Sequence, residues 1–468
     1  MSFNFVVVDN VGMAVVCVEI DFPAEELVEK FLTYLPSSYP IVLDSCCYRR
    51  YGLYDGRYLV AAVSPVACLR VTEKAVELVQ AGRSNLLSGD VFCCLDELLL
   101  KKKREDDTGT PFGAGLAAGF FAYDLARRIE PLPSTAQVPY ELPQMLLCFY
   151  DAIVVHDYLQ GTTTLYGEAD AVARLHEDLV TANRWLRRAA SSVVYKSNFR
   201  CAEYLMAVKR VKEYIREGDV YQVNLTQQFT IELNDYAIED VFLAIRERFP
   251  VPFAAFFRSP DGVVVSASPE SFLRKRASRL EAFPIKGTRP RGQDAAEDKL
   301  LAEQLRGSIK DVAENVMIVD LMRNDLGKLA RIGSVDATRI LQVETFPTVH
   351  HLVSRIACDL RSGVTFGDVL KSTFPSGSVT GAPKIRAMQV IEEVEAVRRG
   401  LSMGAIGWIG YNGNADLSVA IRTLFIKDGI GYINFGGAVV ADSDPMDEYV
   451  ESLVKARAIF SALGIVTG

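Results

Sequence analysis

The sequence lacks three features that would assign it to a broad class at once. Acidic residues outnumber basic ones, and the net charge of −8 over 468 residues argues against a general attraction to nucleic acid or anionic lipid. No apolar run reaches the roughly 18 residues of a membrane-spanning helix. The nine cysteines form no CxxC pair, so we expect reduced thiols and no zinc site.

The beginning of the chain lacks the basic start of a signal peptide. Residues 1–9 are mostly apolar and end at Asp9, which predicts a strand. We therefore expect a soluble, cytoplasmic protein.

Two nucleotide-binding motifs are also missing. The glycines of segment 113–124 have the wrong spacing for a dinucleotide fingerprint. In segment 374–384, Gly377 and Gly381 are too close together for a phosphate loop, and Ile385 follows Lys384 where that loop has serine or threonine. The small residues of this segment still precede a helix predicted for 384–397, whose free amides can bind an anion.

What the sequence does contain is a change of pattern near residues 195–198. Before it, short strand-like runs are interrupted by helical patterns at 24–33 and 171–189. After it, an amphipathic helix ends at Gly218. We predict an N-terminal region, 1–195, and a catalytic region, 196–468. The predicted strands of the first region are 6–8, 14–20, 41–43, 58–63, 152–156 and 162–166.

Lys286 ends a short apolar run directly before Gly287. Such a lysine is either a surface residue at a turn or a group held rigidly at a strand end. Residues 263–268 predict another strand, which runs into a turn that ends in Glu270. If the turns bring Glu270 beside Lys286, the pair is either an acid with a nucleophile or a salt bridge.

Acidic residues gather on two predicted helices. In the helix 311–327, Glu314 lies opposite the apolar stripe. Asp444 is a good N-cap for a second helix, so that Glu448 and Glu451 project from its opening turns. These acids either complement the helix dipole or, taken with Glu314, form a Mg²⁺ site.

Further polar residues interrupt apolar strands. Arg422 lies in an apolar run predicted as the strand 419–424, and a buried arginine needs an acidic partner from the protein or a ligand. Gly436 and Gly437 offer bare backbone for a ligand. Gln222 and Asn224 share one strand face, which either lines a site or faces solvent. Together these features indicate a Mg²⁺-dependent enzyme acting on a small carboxylic acid.

From about residue 197 to 463 these motifs resemble the chorismate-utilising enzymes, and the N-terminal region is similar to that of the family's synthase large subunits. The resemblance implies an α+β fold, an α/β sandwich with two β-sheets packed face to face and helices outside. The motifs that carry it are Pro284-Ile285-Lys286-Gly287-Thr288, the helix from Glu314 to Asp325, Val349-His350-His351-Leu352, Ser378-Val379-Thr380-Gly381-Ala382-Pro383-Lys384, Ile421-Arg422-Thr423, Glu448-Tyr449-Val450-Glu451, Val42-Leu43-Asp44-Ser45 and the segment from Gly119 to Asp124.

Two positions distinguish branches of the family. The branch that aminates chorismate at C4, for para-aminobenzoate and folate synthesis, carries a lysine at the position of Lys286, whereas the anthranilate-forming branch carries alanine. Isochorismate and salicylate synthases carry a water-activating lysine at the position of Gln222. The resemblance therefore implies formation of 4-amino-4-deoxychorismate. Anthranilate formation, for tryptophan synthesis, is the alternative.

The resemblance also implies a role for each site residue. Lys286 adds at C2 of chorismate while Glu270 protonates the departing C4 hydroxyl. Mg²⁺ binds the ring carboxylate of the substrate, and other groups bind carboxylate oxygens or orient the substrate. The implied Mg²⁺ ligands are Glu314, Glu448 and Glu451, and the implied substrate-binding residues are Arg422, His351, Thr380, Gly436 and Gly437.

Two partners follow from the same resemblance. The family takes ammonia from a glutaminase, and the sequence has no glycine-flanked cysteine nucleophile of that class, so we expect a separate glutaminase subunit. The N-terminal region of the family can bind tryptophan, as an inhibitor or as a structural ligand. Ser45 lies at the matching motif.

Overall fold

A computed structural model describes residues 6–10, 13–50, 53, 55–104, 109–187, 193–233, 236–346 and 349–465. In chain order, the strands are β1 (Val6–Asn10), β2 (Met13–Ile20), β3 (Ile41–Asp44), β4 (Arg49–Arg50), β5 (Asp55–Gly56), β6 (Tyr58–Ala62), β7 (Ala67–Val71), β8 (Val76–Gln80), β9 (Arg83–Leu87), β10 (Leu116–Phe121), β11 (Met145–Tyr150), β12 (Ala152–Asp157), β13 (Thr162–Glu168), β14 (Val194–Ser197), β15 (Gln222–Glu232), β16 (Phe253–Ser259), β17 (Gly262–Ser268), β18 (Ser271–Arg276), β19 (Arg279–Ala282), β20 (Ile285–Pro290), β21 (Asp336–Thr345), β22 (Val349–Asp359), β23 (Gly381–Ala382), β24 (Ala405–Gly410), β25 (Ala415–Val419), β26 (Thr423–Lys427) and β27 (Ile430–Val439).

The helices are α1 (Ala24–Phe31), α2 (Val91–Lys102), α3 (Ala169–Thr181), α4 (Cys201–Glu217), α5 (Ile238–Arg248), α6 (Ala295–Gly307), α7 (Ile309–Gly327), α8 (Phe366–Thr373), α9 (Lys384–Val394) and α10 (Pro445–Ala462). Short 3₁₀ turns cover Pro36–Ser38, Tyr123–Arg128 and Gly377–Val379. In the part of the chain that the structure describes, no helix is long and apolar enough to cross a membrane. The nine cysteines are all free thiols.

The strands form two large antiparallel sheets and a two-stranded ribbon, β4–β5. The first sheet has the order β1-β2-β13-β12-β6-β3-β16-β17-β26-β27-β15-β14, with β23 paired to β15. The second has the order β20-β22-β19-β18-β25-β24-β10-β11-β7-β8-β9, with β21 paired to β22. Strands from both sides of the predicted boundary pair directly, β3 with β16 and β10 with β24. The division into 1–195 and 196–468 stays a prediction.

The two sheets pack face to face, with helices outside. Alternate residues of a strand enter different cores: Ile41 belongs to a cluster that includes Leu116 and Ile406 of the second sheet, whereas Val42 packs with residues of α1. The outer face of the second sheet likewise packs with Ile318 of α7. This alternation is what a strand produces when both of its faces are covered. The predicted α+β sandwich is confirmed.

Most predicted elements are present near their predicted bounds. The six N-terminal strand predictions correspond to β1, β2, β3, β6, β12 and β13. The helix after the change of pattern ends at Gly218, which has a φ of 85°. Asp444 caps α10, accepting from the backbone of Met446 and Asp447.

Two predictions are wrong. The helix predicted for 171–189 is too long, because α3 ends at Thr181 and residues 182–187 are not helical. Residues 419–424 are not a continuous strand, because regular strand pairing is interrupted between β25 and β26, where Arg422 has a φ of 50°.

Candidate active site

Lys286 lies on β20, at an irregularity of its pairing with β22. The register shifts between Lys286 and Thr288, where Gly287 has a φ of 79°. A Cβ on Gly287 would lie 2.9 Å from both the Asp311 Cβ and the Leu305 side chain. Glycine is therefore needed for its backbone conformation and for the close approach of α7. This approach brings the lysine next to the acidic face of α7.

The Lys286 amine is held by a backbone carbonyl. Its Nζ donates to the Ser378 carbonyl oxygen at 3.0 Å, and the side chain is half-buried. Burial lowers the pKa of Lys286, while the charges of Glu314 and Glu270 act in the opposite direction. The neutral amine is therefore more accessible here than on an exposed lysine.

Glu270 follows β17 and is 5% exposed. Its Oε1 has no hydrogen-bond partner among the described residues. Burial raises the pKa of Glu270, and the Ser378 hydroxyl and the charge of Lys286 oppose that shift. Glu270 and Lys286 thus share Ser378 as a neighbour. The structure thus brings the two residues together, an arrangement that the sequence left conditional on the turns.

Glu314, Glu448 and Glu451 meet from α7 and α10, beside two lysines. Glu314 and Glu448 are buried, whereas Glu451 is exposed. Lys310 Nζ lies 3.6 Å from Glu448 Oε1, and Lys455 Nζ lies 2.7 Å from Glu451 Oε1. Burial raises the pKa of both Glu314 and Glu448. At Glu451, whose side chain is only partly covered, the effect of burial is outweighed, chiefly by Lys455, and the pKa is lowered.

The carboxylate oxygens of these three glutamates are the type of ligand that Mg²⁺ prefers. In the described ranges no three acidic, histidine or cysteine side chains are already arranged as a set of metal ligands. Glu448 Oε2, however, is buried without a hydrogen-bond partner among those residues, while Oε1 accepts from Ser443 at 2.7 Å. A Cβ on Gly437 would lie 2.8 Å from that Oε2. An unpartnered carboxylate oxygen beside bare backbone fits a hard cation that keeps waters and a substrate ligand.

Arg422 contributes a positive charge to the site, whereas His351 contributes a neutral ring. The Arg422 guanidinium forms no ion pair or hydrogen bond with any residue in the described part of the chain. Burial lowers the pKa of His351 to about 3, and Arg422 adds to the effect. His351 Nδ1 lies 2.9 Å from Thr288 Oγ1, which fixes the ring. The site thus presents a free guanidinium, to which a substrate carboxylate could bind bidentately.

Thr380, Gly436 and Gly437 are each fixed by a different set of local contacts. The Thr380 hydroxyl donates within its own loop, to the Ser376 carbonyl at 3.1 Å. Gly436 opposes Thr226 across β15 and β27, and a Cβ there would lie 1.8 Å from the Leu225 carbonyl oxygen. Gly436 is therefore required by strand packing, and Gly437 by the carboxylates described above.

Gln222 and Asn224 are buried, 0% and 7% exposed, so the solvent-facing alternative for this strand face is wrong. Neither amide atom of Gln222 has a hydrogen-bond partner among the described residues. Leaving a buried amide unpaired is costly. An unpaired amide at this position is therefore available to a ligand.

Sequence reasoning did not single out Ser378, Lys310 or Lys455 as site residues. The two lysines had a detectable signal: Lys310 precedes Glu314 by one helical turn, and Lys455 follows Glu451 by one turn. Ser378 contributes a backbone carbonyl, which no residue type encodes.

A separate cavity of about 290 Å³ lies between the two sheets. None of its lining residues belongs to the lysine and carboxylate cluster. Ser45 from the predicted N-terminal motif lines it, together with Trp408 and Asp416. Asp416 Oδ2 accepts from Arg274 at 3.0 Å, while Oδ1 is buried without a hydrogen-bond partner in the described residues. The wall thus offers a free acceptor beside an aromatic ring.

Comparison with known proteins gives one family. A family model described as chorismate binding enzyme matches residues 51–461. Aminodeoxychorismate synthase component 1 of Klebsiella aerogenes is 40% identical over 361 residues, 75% of this chain and 78% of the relative. Anthranilate synthase component 1 of Aquifex aeolicus is 34% identical over 429 residues, 88% of this chain and 87% of the relative. The crystal structure of anthranilate synthase component I from Streptococcus pneumoniae, 29% identical, superposes with a TM-score of 0.78 over 86% of this chain and 92% of that chain.

Proposed function

Since the chain belongs to the chorismate binding enzyme family, we propose that it aminates chorismate at C4 to give 4-amino-4-deoxychorismate. Relatives of two activities cover most of the chain, so overall similarity does not choose between C4 and C2 amination. The choice rests on the site.

Lys286 is the observation that carries the proposal. It stands where the C4-aminating branch has lysine and the anthranilate-forming branch has alanine. The half-buried amine has a lowered pKa, a fixed contact with the Ser378 carbonyl and a buried carboxyl as its neighbour. An amine whose neutral form is favoured by burial, near an acid whose protonated form is favoured by burial, supports a nucleophile paired with a general acid.

Substrate binding uses the remaining groups. The free Arg422 guanidinium binds a carboxylate of chorismate, and His351, held neutral by burial, adds no charge to this part of the site. Glu314, Glu448 and Glu451 would hold Mg²⁺, which when bound neutralises the ring carboxylate of the substrate. The bare backbone at Gly437 leaves room for that carboxylate beside Glu448.

The reaction then follows in two displacements. Lys286 Nζ adds at C2 as the C4–O bond breaks, and Glu270 gives its proton to the departing hydroxyl, which leaves as water. Ammonia next adds at C4 as the bond between C2 and Lys286 breaks, which regenerates the lysine, and the proton lost by the new ammonium group returns to Glu270. Chorismate and ammonia are thus converted to 4-amino-4-deoxychorismate and water, and no oxidant is needed.

Ammonia is supplied by a separate glutaminase subunit in this proposal. The support is the family and the name "component 1" carried by both relatives, which implies a second component. The pathway served is para-aminobenzoate and folate synthesis.

Mass spectrometry of the product tests the proposed function. The pure chain is incubated with chorismate, Mg²⁺ and ammonium, which replaces the glutaminase. We expect a non-aromatic amino adduct that retains the enolpyruvyl group. Anthranilate with released pyruvate would overturn the proposal and assign the chain to tryptophan synthesis.

The cavity between the sheets is a second candidate site, for tryptophan. Ser45 and Trp408 line it, and the unpartnered Asp416 Oδ1 can accept from an ammonium or indole N–H group. Arg57 and Arg276 also line the cavity and supply positive charge, although each already pairs with an aspartate, Asp157 and Asp416. These features support a zwitterionic aromatic ligand.

A further inference from the structure

Ser378 is the common neighbour of both reacting groups. Its carbonyl oxygen accepts from Lys286 Nζ at 3.0 Å, and its hydroxyl, which pairs with the Ser376 hydroxyl at 3.0 Å, counteracts the rise in the pKa of Glu270. The place of Lys286 relative to Glu270 therefore depends on how firmly the loop Ser376–Thr380 is held. The residues that fix this loop therefore also fix the position of Lys286 relative to Glu270.

Arg399 joins this loop to strand β15. Its Nη1 donates to the Val379 carbonyl at 2.8 Å, and its Nη2 donates to the Asn224 carbonyl at 2.5 Å. The Asn224 backbone N–H in turn donates to the Thr380 carbonyl at 2.7 Å. One planar guanidinium thus sets the loop and the strand in a single mutual position, which a lysine ammonium cannot reproduce.

Glu395 fixes Arg399 in place. Its carboxylate accepts from Arg399 Nε at 3.0 Å and Nη2 at 2.8 Å, a bidentate pair. The same carboxylate accepts from the backbone N–H and hydroxyl of Thr226, at 2.7 and 2.9 Å. Thr226 opposes Gly436 across the sheet. The pair therefore ties the loop to the part of β15 that is paired with Gly436 of β27.

The pair is too deep to take part in the chemistry itself. The side chains of Arg399 and Glu395 are 1% and 3% exposed, and the Tyr123 ring covers the guanidinium at 4.8 Å. A buried ion pair gives little net stability, because desolvation offsets its attraction. What this one gives is a fixed geometry.

We propose that Arg399, held by Glu395, is a positioning residue that sets Lys286 and Glu270 for addition at C2 through the loop Ser376–Thr380. The inference rests on the proposed function. When the loop is displaced, the lysine reaches C2 less often. Ammonia then adds directly at C2 while the C4 hydroxyl leaves as water, so part of the product carries its amine at C2 instead of C4.

The test measures the ratio of C4-aminated to C2-aminated product in the full chain, with chorismate, Mg²⁺ and ammonium. This ratio does not depend on the folded fraction, so a purely structural effect leaves it unchanged. We expect Arg399→Lys to lower it by about tenfold or more. Glu395→Gln keeps the size of its side chain and should shift the product ratio in the same direction. If Arg399→Lys does not fold, the ratio in Glu395→Gln tests the positioning role by itself.

Arg258→Lys is the matched control. Arg258 also donates to two carbonyls, those of Leu32 and Tyr34, and pairs with the buried carboxylate of Glu239, but it touches no site residue. This variant should lose thermal stability without changing the product ratio. If the wild type forms C4 product and the product ratio is unchanged in Arg399→Lys and Glu395→Gln, the positioning role alone is overturned. A wild type that makes only C2-aminated product would overturn the proposed function, and the positioning role with it.

Discussion

Burial controls the protonation of three site residues. It lowers the pKa of Lys286 and raises that of Glu270, so the amine loses its proton, and the acid keeps its own, more readily than exposed groups of the same kind. It also keeps His351 neutral beside Arg422. The site thus combines the Arg422 guanidinium with three groups whose charged forms are disfavoured by burial.

His351 should make the stability of the protein depend on pH. Its folded pKa of about 3 lies below the ordinary 6.5, so the unfolded chain takes up a proton as the pH falls through about 6.5, while the folded chain does not. This contribution to stability is therefore lost on acidification. Between about pH 7 and about pH 5 we expect His351→Asn, which removes the titrating ring, to lose about 2 kcal/mol less than the wild type.

Urea unfolding of both proteins at the two pH values measures this difference. Asparagine can keep the contact with Thr288, so the comparison isolates the charge. Equal losses in the two proteins would mean that His351 titrates normally in the folded state.

At the level of single residues, the sequence predicted the chemical requirements of the side chains better than their backbone conformations and partners. That Arg422 needs an acidic partner followed from its apolar surroundings, but its positive φ did not, because no local pattern marks a break between two apolar strands. The anchoring of Lys286 by the Ser378 carbonyl also escaped prediction. Every residue has such a carbonyl, and its partner is decided by the tertiary fold.

At the level of elements, α7 and α10 bring the carboxylates together. Each helix places a lysine one turn from an acid, Lys310 near Glu314 and Lys455 near Glu451. The ammonium groups offset negative charge at the ends of the cluster and leave Glu448 Oε2 unpartnered. The helices and their caps were predictable from local signals, whereas their convergence was not, because it depends on how both pack against the sheets.

Removal of divalent cations should abolish amination, and Mg²⁺ should restore it. In Glu448→Gln, the Mg²⁺ concentration for half-maximal activity should rise by about tenfold or more, since a buried charged ligand is lost. Asp447→Asn changes the neighbouring exposed carboxylate of the same helix and should leave the Mg²⁺ dependence unchanged. Full activity in EDTA would argue against the metal site, as would wild-type Mg²⁺ dependence in Glu448→Gln.

At the level of the whole molecule, the two regions of the sequence build both sheets together. Strand β3 pairs with β16, and β10 pairs with β24, across the predicted boundary. Periodicity identifies such strands but carries no information about distant partners. The sandwich itself was implied by the family resemblance. The cavity between the sheets exists because strands from both regions form its walls.

Tryptophan should raise the melting temperature of the wild type if it occupies this cavity. Asp416→Asn weakens the acceptor at Oδ1 and should reduce the shift, whereas Asp261→Asn, which disturbs a half-buried pair with Arg70 outside the cavity, should not. Activity measured with tryptophan present distinguishes an inhibitor from a structural ligand. A shift that is equal in all three proteins would place the ligand elsewhere.

The central claim is that Lys286 bonds to the substrate, and intact-protein mass spectrometry tests it most directly. The enzyme is mixed with chorismate and Mg²⁺ without any ammonia, so that the second displacement cannot occur. We expect a mass increase equal to chorismate less one water, located to the peptide that contains Lys286 and absent from Lys286→Ala. If the wild type forms 4-amino-4-deoxychorismate when ammonium is added but never carries this adduct, Lys286 is not the nucleophile.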